Sequence, residues 1–204
     1  MVPTAYDSTV SARLRSLNGD GGYGVALGAL LVLVGLLALG GESWRLALQY
    51  QRTAIAGGEW WRLGSAHLVH LGVRHALLDA AGLALLWILY ARALELRQWA
   101  VALGGALLAV DAGLWWLSPA VGWYVGLSGL LHGAWAAGAF GLWQTERRHA
   151  QVSLGLLLLK LVAEQGLGSA VAGTGLPVIV AAHLYGALGG FAGALAVRGR
   201  AARL

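Results

Sequence analysis

The stretch GLSGLLHG, residues 126–133, sets Ser128 four residues before His132 at the head of an apolar run. A serine hydroxyl is a weak nucleophile until a neighbouring imidazole accepts its proton, so serine with histidine is the smallest hydrolytic unit available here. Cysteine is absent, which excludes a thiolate nucleophile, thiolate metal sites and a disulfide framework. Further histidines stand at His183, in AAHLYGALGG, and at His67, His70 and His75, ahead of Asp79. The zinc-protease pattern HExxH does not occur.

These residues are carried by a chain of 204 residues, 58% hydrophobic and 11% charged, with mean hydropathy +0.68. That exceeds what one soluble core needs and predicts an all-α, polytopic membrane protein. Six apolar segments, 23–40, 70–90, 99–117, 127–143, 152–166 and 177–197, are the expected transmembrane helices. The fifth is the shortest and contains Lys160 and Glu164, which can pair at i,i+4. Residues 1–22 read as a polar cytoplasmic tail rather than a signal peptide, 23–198 as one membrane domain, and 199–204 as a cytoplasmic tail. The connection 41–69 mixes Trp44, Trp60 and Trp61 with Arg45, Arg52 and Arg62, which suits an interfacial loop with snorkelling arginines.

The pI near 10 comes almost wholly from arginines at segment ends, so it speaks for membrane topology rather than for nucleic-acid binding. Arg13 and Arg15, Arg92 and Arg97, Arg147 and Arg148, and Arg198, Arg200 and Arg203 alternate with loops 118–126 and 167–176, which lack Lys and Arg. The positive-inside rule places both termini in the cytoplasm.

Ionisable residues within spans are costly and mark function by default. Measured from the basic end, His75 stands 17 residues and Asp79 13 residues from Arg92. Ser128 and His132 stand 18 and 14 residues from Glu146, and His183 stands 15 from Arg198. At about 1.5 Å per residue these heights run from roughly 20 to 27 Å, one layer below the outer surface. Asp111, 14 residues above Arg97, falls near it. Gly129 and Gly133 on the fourth segment and Gly186 and Gly190 on the sixth form small-residue stripes that allow close helix approach. Packed together, they bring His183 to the level of Ser128. Oxyanion donors are available from backbone N–H groups at the start of the fourth helix and from His75. Asp111, Lys160 and Glu164 read as a buried ion-pair set or as substrate-binding groups, and His149 as a solvated loop residue.

GLSG, the AHxxGxxxG pattern of Ala182, His183, Gly186 and Gly190, and EWWR followed by His70, His75 and Asp79 together resemble the rhomboid intramembrane serine proteases. GLSGLLHG looks more particularly like the rhombosortase branch. The resemblance implies a six-helix bundle, Ser128 as nucleophile and His183 as general base in a dyad without a third carboxylate. It also implies His75 at the oxyanion, with the backbone N–H of Ser128 and Leu127. Many rhomboids carry asparagine where this chain has Asp79, and an ionised carboxylate cannot donate to an oxyanion. Asp79 is therefore either protonated or an orienter of His75. His132 stands where many rhomboids have tyrosine, and reads as a packing partner of His183 or a competing base.

No cofactor and no metal are expected. The partners implied are the bilayer and membrane-anchored proteins bearing a C-terminal Gly-Gly motif, an apolar span and a basic tail. The chain would sit in a bacterial inner membrane with the site open to the periplasm, and an acyl-enzyme on Ser128 would be resolved by water or by an amine. The fifth segment with loop 166–176 is the expected lateral gate. Two other classes remain: a catalytically inactive rhomboid-like client binder, and a haem or metal carrier using His75 with His183, or His67 with His70.

Overall fold

In lipid the backbone must satisfy its own hydrogen bonds, so long apolar runs here have helix as their only open-ended solution. The computed structural model describes residues 13, 15, 17–168 and 177–201. In chain order it contains α1 (Gly21–Leu39), α2 (Gly41–Leu48), β1 (Tyr50–Gln51), α3 (Arg52–Ala56) and α4 (Trp61–Ser65). After these come α5 (Val73–Tyr90), α6 (Leu96–Ala112), β2 (Trp123–Tyr124), α7 (Ser128–Gly141), α8 (Arg147–Leu167) and α9 (Val180–Ala201). A π-helical turn, Gly113–Leu117, prolongs α6.

Among the described residues five helices are long and apolar enough to cross a membrane: α1, α5, α6 with its π turn, α8 and α9. The protein is therefore a multi-pass, all-α membrane protein. Large aliphatic side chains such as Val25, Leu77 and Leu159 are exposed on the outer faces, where lipid replaces water as the solvent. Of the six spans expected, the fourth is not among these five. Its helix, α7, has 14 residues, a length of roughly 21 Å against a core of about 30 Å. It ends at Gly141, where a 3-10 turn, Leu142–Gln144, takes over, and the chain before it is folded back. Gly126 takes φ +115°, its N–H donates to the Ala66 carbonyl at 3.0 Å, and Tyr124 donates its hydroxyl to the Gly126 carbonyl at 2.8 Å. Ser128 thus opens a short helix held inside the bundle.

The connection 41–69, expected as an interfacial loop, is folded into short helices and a strand. β1 pairs antiparallel with β2, Tyr50 opposite Tyr124 and Gln51 opposite Trp123. Burial pushes the phenol pKa of both tyrosines above its ordinary value, which keeps them neutral. Trp44, Trp60 and Trp61 stay exposed, as an interfacial belt requires. Two of the three arginines do not snorkel. Arg62 is buried and donates to the Leu46 and Gln49 carbonyls at 2.8 and 3.0 Å and to Glu59 at 2.6 Å. Arg52 donates to the carbonyls of Leu114, Trp115, Ser118 and Val121 at 2.5–3.3 Å, so it caps the end of α6.

Arg52→Met should therefore lower unfolding stability by about 2 kcal/mol, since four carbonyls lose a charged donor. Arg52→Lys should recover less than half of that, because a point charge cannot match the guanidinium fork. Thermal unfolding in lipid nanodiscs reads both.

At the centre, α9 lies against α6 and α7 through small residues. Ala102, Ala106, Ala137 and Ala182 are fully buried. A Cβ on Gly186 would fall inside the Gly129 carbonyl oxygen, one on Gly190 inside that of Gly133, and one on Gly133 would sit 2.8 Å from the Gly186 carbonyl. Backbone touches backbone along this seam, which no larger residue permits.

Candidate active site

The seam determines where α9 carries His183, three residues before Gly186. His183 Nε2 lies 3.0 Å from Ser128 Oγ. Ser128 is the first residue of α7, so its hydroxyl stands at the helix N-terminus. On the far side of the imidazole, Nδ1 lies 2.9 Å from Oε2 of Glu164, which projects from α8. The other Glu164 oxygen accepts from Lys160. A carboxylate only accepts, so Nδ1 bears the proton and Nε2 presents its lone pair to the serine. The dyad expected from the sequence thus has a carboxylate behind it. Sequence reasoning had paired Glu164 with Lys160 and missed its second partner.

His132 stacks on His183, ring centroids 4.0 Å apart and planes 11° from parallel. Its Nδ1 donates to the backbone carbonyl of Ser128 at 2.7 Å, and its Nε2 has no hydrogen-bond partner. The ring is thus a flat wall for His183, and the serine hydroxyl is engaged by His183 instead.

Asp79 gathers the opposite side. Its Oδ2 accepts the Leu127 N–H at 2.8 Å, with His70 Nε2 at 3.1 Å and His75 Nε2 at 3.6 Å. Two expectations change here. The Leu127 N–H is committed to Asp79 and is not free for an oxyanion, and the nearer histidine to Asp79 is His70 rather than His75. His75 Nδ1 accepts from the Leu71 N–H at 3.4 Å, leaving Nε2–H as its donor. A Cβ on Gly126 would stand 2.8 Å from the His75 ring, so glycine there serves both the positive φ and the close approach.

Asp111 does not join Lys160 and Glu164. It pairs with buried His67 at 3.3 Å, and that ring meets Tyr124 edge-on at 5.4 Å, which makes the pair a support beneath the loop before Ser128. The proposed gate loop lies largely outside the described residues, as do most of residues 1–16 and residues 202–204.

Donor atoms of His132, Glu164 and His183 lie within 4.8 Å of one another, a spacing that suits a metal. The stacked rings argue against that use: their in-plane lone pairs lie in nearly parallel planes and cannot converge on an ion at about 2.0–2.1 Å. Both nitrogens of His183 are also engaged, which leaves none for a haem iron.

Two hollows meet at Ser128. One, about 230 Å³, is bounded by His75, Asp79, His132, Lys160, Glu164, Val178 and His183. The other, about 650 Å³, is a mostly aliphatic groove between α5 and α8 that runs from Ser128 past Leu85, Leu89 and Leu156 to Glu146 and Arg148. Tyr90 of α5 and Trp135 of α7 both meet the Ser153 hydroxyl, at 2.5 and 2.7 Å, and tie the groove's walls together.

Residues 57–200 match the Rhomboid domain. No curated protein matches the chain.

Proposed function

The chain belongs to the rhomboid domain family, and from that premise we propose that it is an intramembrane serine endopeptidase with Ser128 as nucleophile and His183 as general base. The observation that carries this reading is the 3.0 Å contact between Ser128 Oγ and His183 Nε2, groups 55 residues apart in the chain. A serine kept only for helix packing has no need of an imidazole at its hydroxyl, and a client-binding protein has no use for one.

Ser128 Oγ bonds to the scissile carbonyl carbon, its proton passes to His183 Nε2, and the carbonyl electrons move onto oxygen. That oxyanion is met by His75 Nε2–H and by the N–H groups opening α7, whose dipole favours negative charge. Collapse expels the amine, which takes the proton from His183. Water, deprotonated by the same imidazole, releases the acyl group from Ser128.

Rhomboid substrates are in general membrane proteins, and the aliphatic groove leading to Ser128 suits an apolar segment entering from lipid. Within that class we favour the rhombosortase-like tag. The likeness of GLSGLLHG supports it, and a hollow of about 230 Å³ beside Ser128 suits small residues near the scissile bond. The arginine pattern supports cytoplasmic termini with the site towards the outer face, and the rhombosortase likeness is what suggests a bacterial inner membrane.

The test uses the full chain in nanodiscs with a fluorophosphonate probe. The wild-type chain should label, Ser128→Ala should not, and His183→Ala should label about 10³-fold more slowly. Undiminished labelling of Ser128→Ala would remove the nucleophile and the reading with it.

A further inference from the structure

We infer that Glu164, held by Lys160, is a positioning residue that makes the site a serine–histidine–glutamate triad; this rests on the protease reading above. Glu164 is fully buried and His183 is 4% exposed, so their 2.9 Å contact is made away from water. A lone carboxylate is expensive at that depth and persists only where partners use both oxygens. Here they do: Oε2 faces His183 Nδ1 and Oε1 takes the Lys160 ammonium, so the carboxylate cannot rotate away.

Three consequences follow for the attack on the substrate. The Nδ1–H···Oε2 bond selects the tautomer whose Nε2 is bare, the only one that can accept the Ser128 proton. It also holds the ring plane, which His132 supports from one face. When Ser128 Oγ bonds to carbon and its proton arrives on Nε2, the imidazolium stands beside a fixed negative charge. Lys160 supplies the resting counter-charge, and its i,i+4 place on the same helix turn keeps the pair in register.

The experiment measures fluorophosphonate inactivation of the nanodisc-embedded chain, separating kinact from KI. In that reaction Ser128 Oγ displaces fluoride from phosphorus and its proton goes to His183, so the base is tested without a known substrate. Glu164→Gln should lower kinact about a hundredfold with KI within about threefold, a milder loss than the roughly 10⁴ seen when an amide replaces a triad carboxylate. Glu164→Asp, which keeps the charge, should regain part of the rate. Nitrogen-15 NMR of the wild-type chain should show the His183 resonance, assigned by its loss in His183→Gln, protonated at Nδ1 and bare at Nε2.

A Glu164→Gln chain that reacts within threefold of wild type would overturn the positioning role while Ser128→Ala still abolished labelling. Labelling that survives Ser128→Ala would instead overturn the protease reading itself. If Glu164→Gln does not assemble, the NMR decides: a proton on Nε2 rather than Nδ1 rejects the triad.

Discussion

Gly186→Ala is expected to lower labelling of Ser128 by at least about a hundredfold and to lower unfolding stability by about 3 kcal/mol. The added methyl would lie within the Gly129 carbonyl oxygen, and backbone on both sides leaves no flexible group to yield. α7 and α9 must then part by roughly 1 Å, and a displacement of that size between reacting groups costs on the order of 10² in rate. Overpacking of a tight core typically costs about 1–3 kcal/mol on top of that. Gly104→Ala and Gly155→Ala are the controls, since nothing lies within 4 Å of a Cβ at either position. Both should be neutral or slightly stabilising, as glycine is a poor helix former. Equal labelling by Gly186→Ala and the controls would show that the seam does not position the base.

The second large effect separates charge from hydrogen bonding at Asp79. Asp79→Ala should cost about 4 kcal/mol of stability, because the Leu127 N–H and His70 Nε2 lose their shared acceptor and a buried unsatisfied group costs about 1–3 kcal/mol. Labelling should fall with it, since Leu127 immediately precedes the nucleophile and its N–H fixes the entry to α7. Asp79→Asn should stay within about threefold of wild type in labelling rate. Its amide oxygen can take the place of Oδ2 and accept from both the Leu127 N–H and His70 Nε2–H, so only the charge is lost. A loss with Asn as large as with Ala would assign the role to the carboxylate charge instead.

Comparing Glu164 with Ser128 shows what spacing can and cannot carry. Glu164 stands 17 residues above Arg147, roughly 25 Å along a helix and so in the layer of Ser128 and His183. The signal was present, and the i,i+4 pairing with Lys160 concealed it by offering Glu164 a sufficient partner. Asp111 lies at a similar height, yet α6 turns it to His67 beneath the loop rather than into the site. Arg52 and Arg62 teach the same lesson in the first connection. Composition marks them as interfacial, while their carbonyl partners belong to segments up to 69 residues away.

Hydropathy and residue counting determined by themselves that the chain crosses a membrane, roughly where its long helices run, and how far along its helix each polar side chain lies. They could do so because rise per residue and the cost of burying charge in lipid are local properties. The tertiary structure alone decided which way each helix is rotated and what its polar residues meet. It turns Glu164 to His183, commits Leu127 to Asp79, and bends the chain at Gly126 so that the loop before α7 folds back into the bundle. Rotation and partnership arise from backbone contacts between segments distant in the chain, and periodicity along one helix contains no term for them.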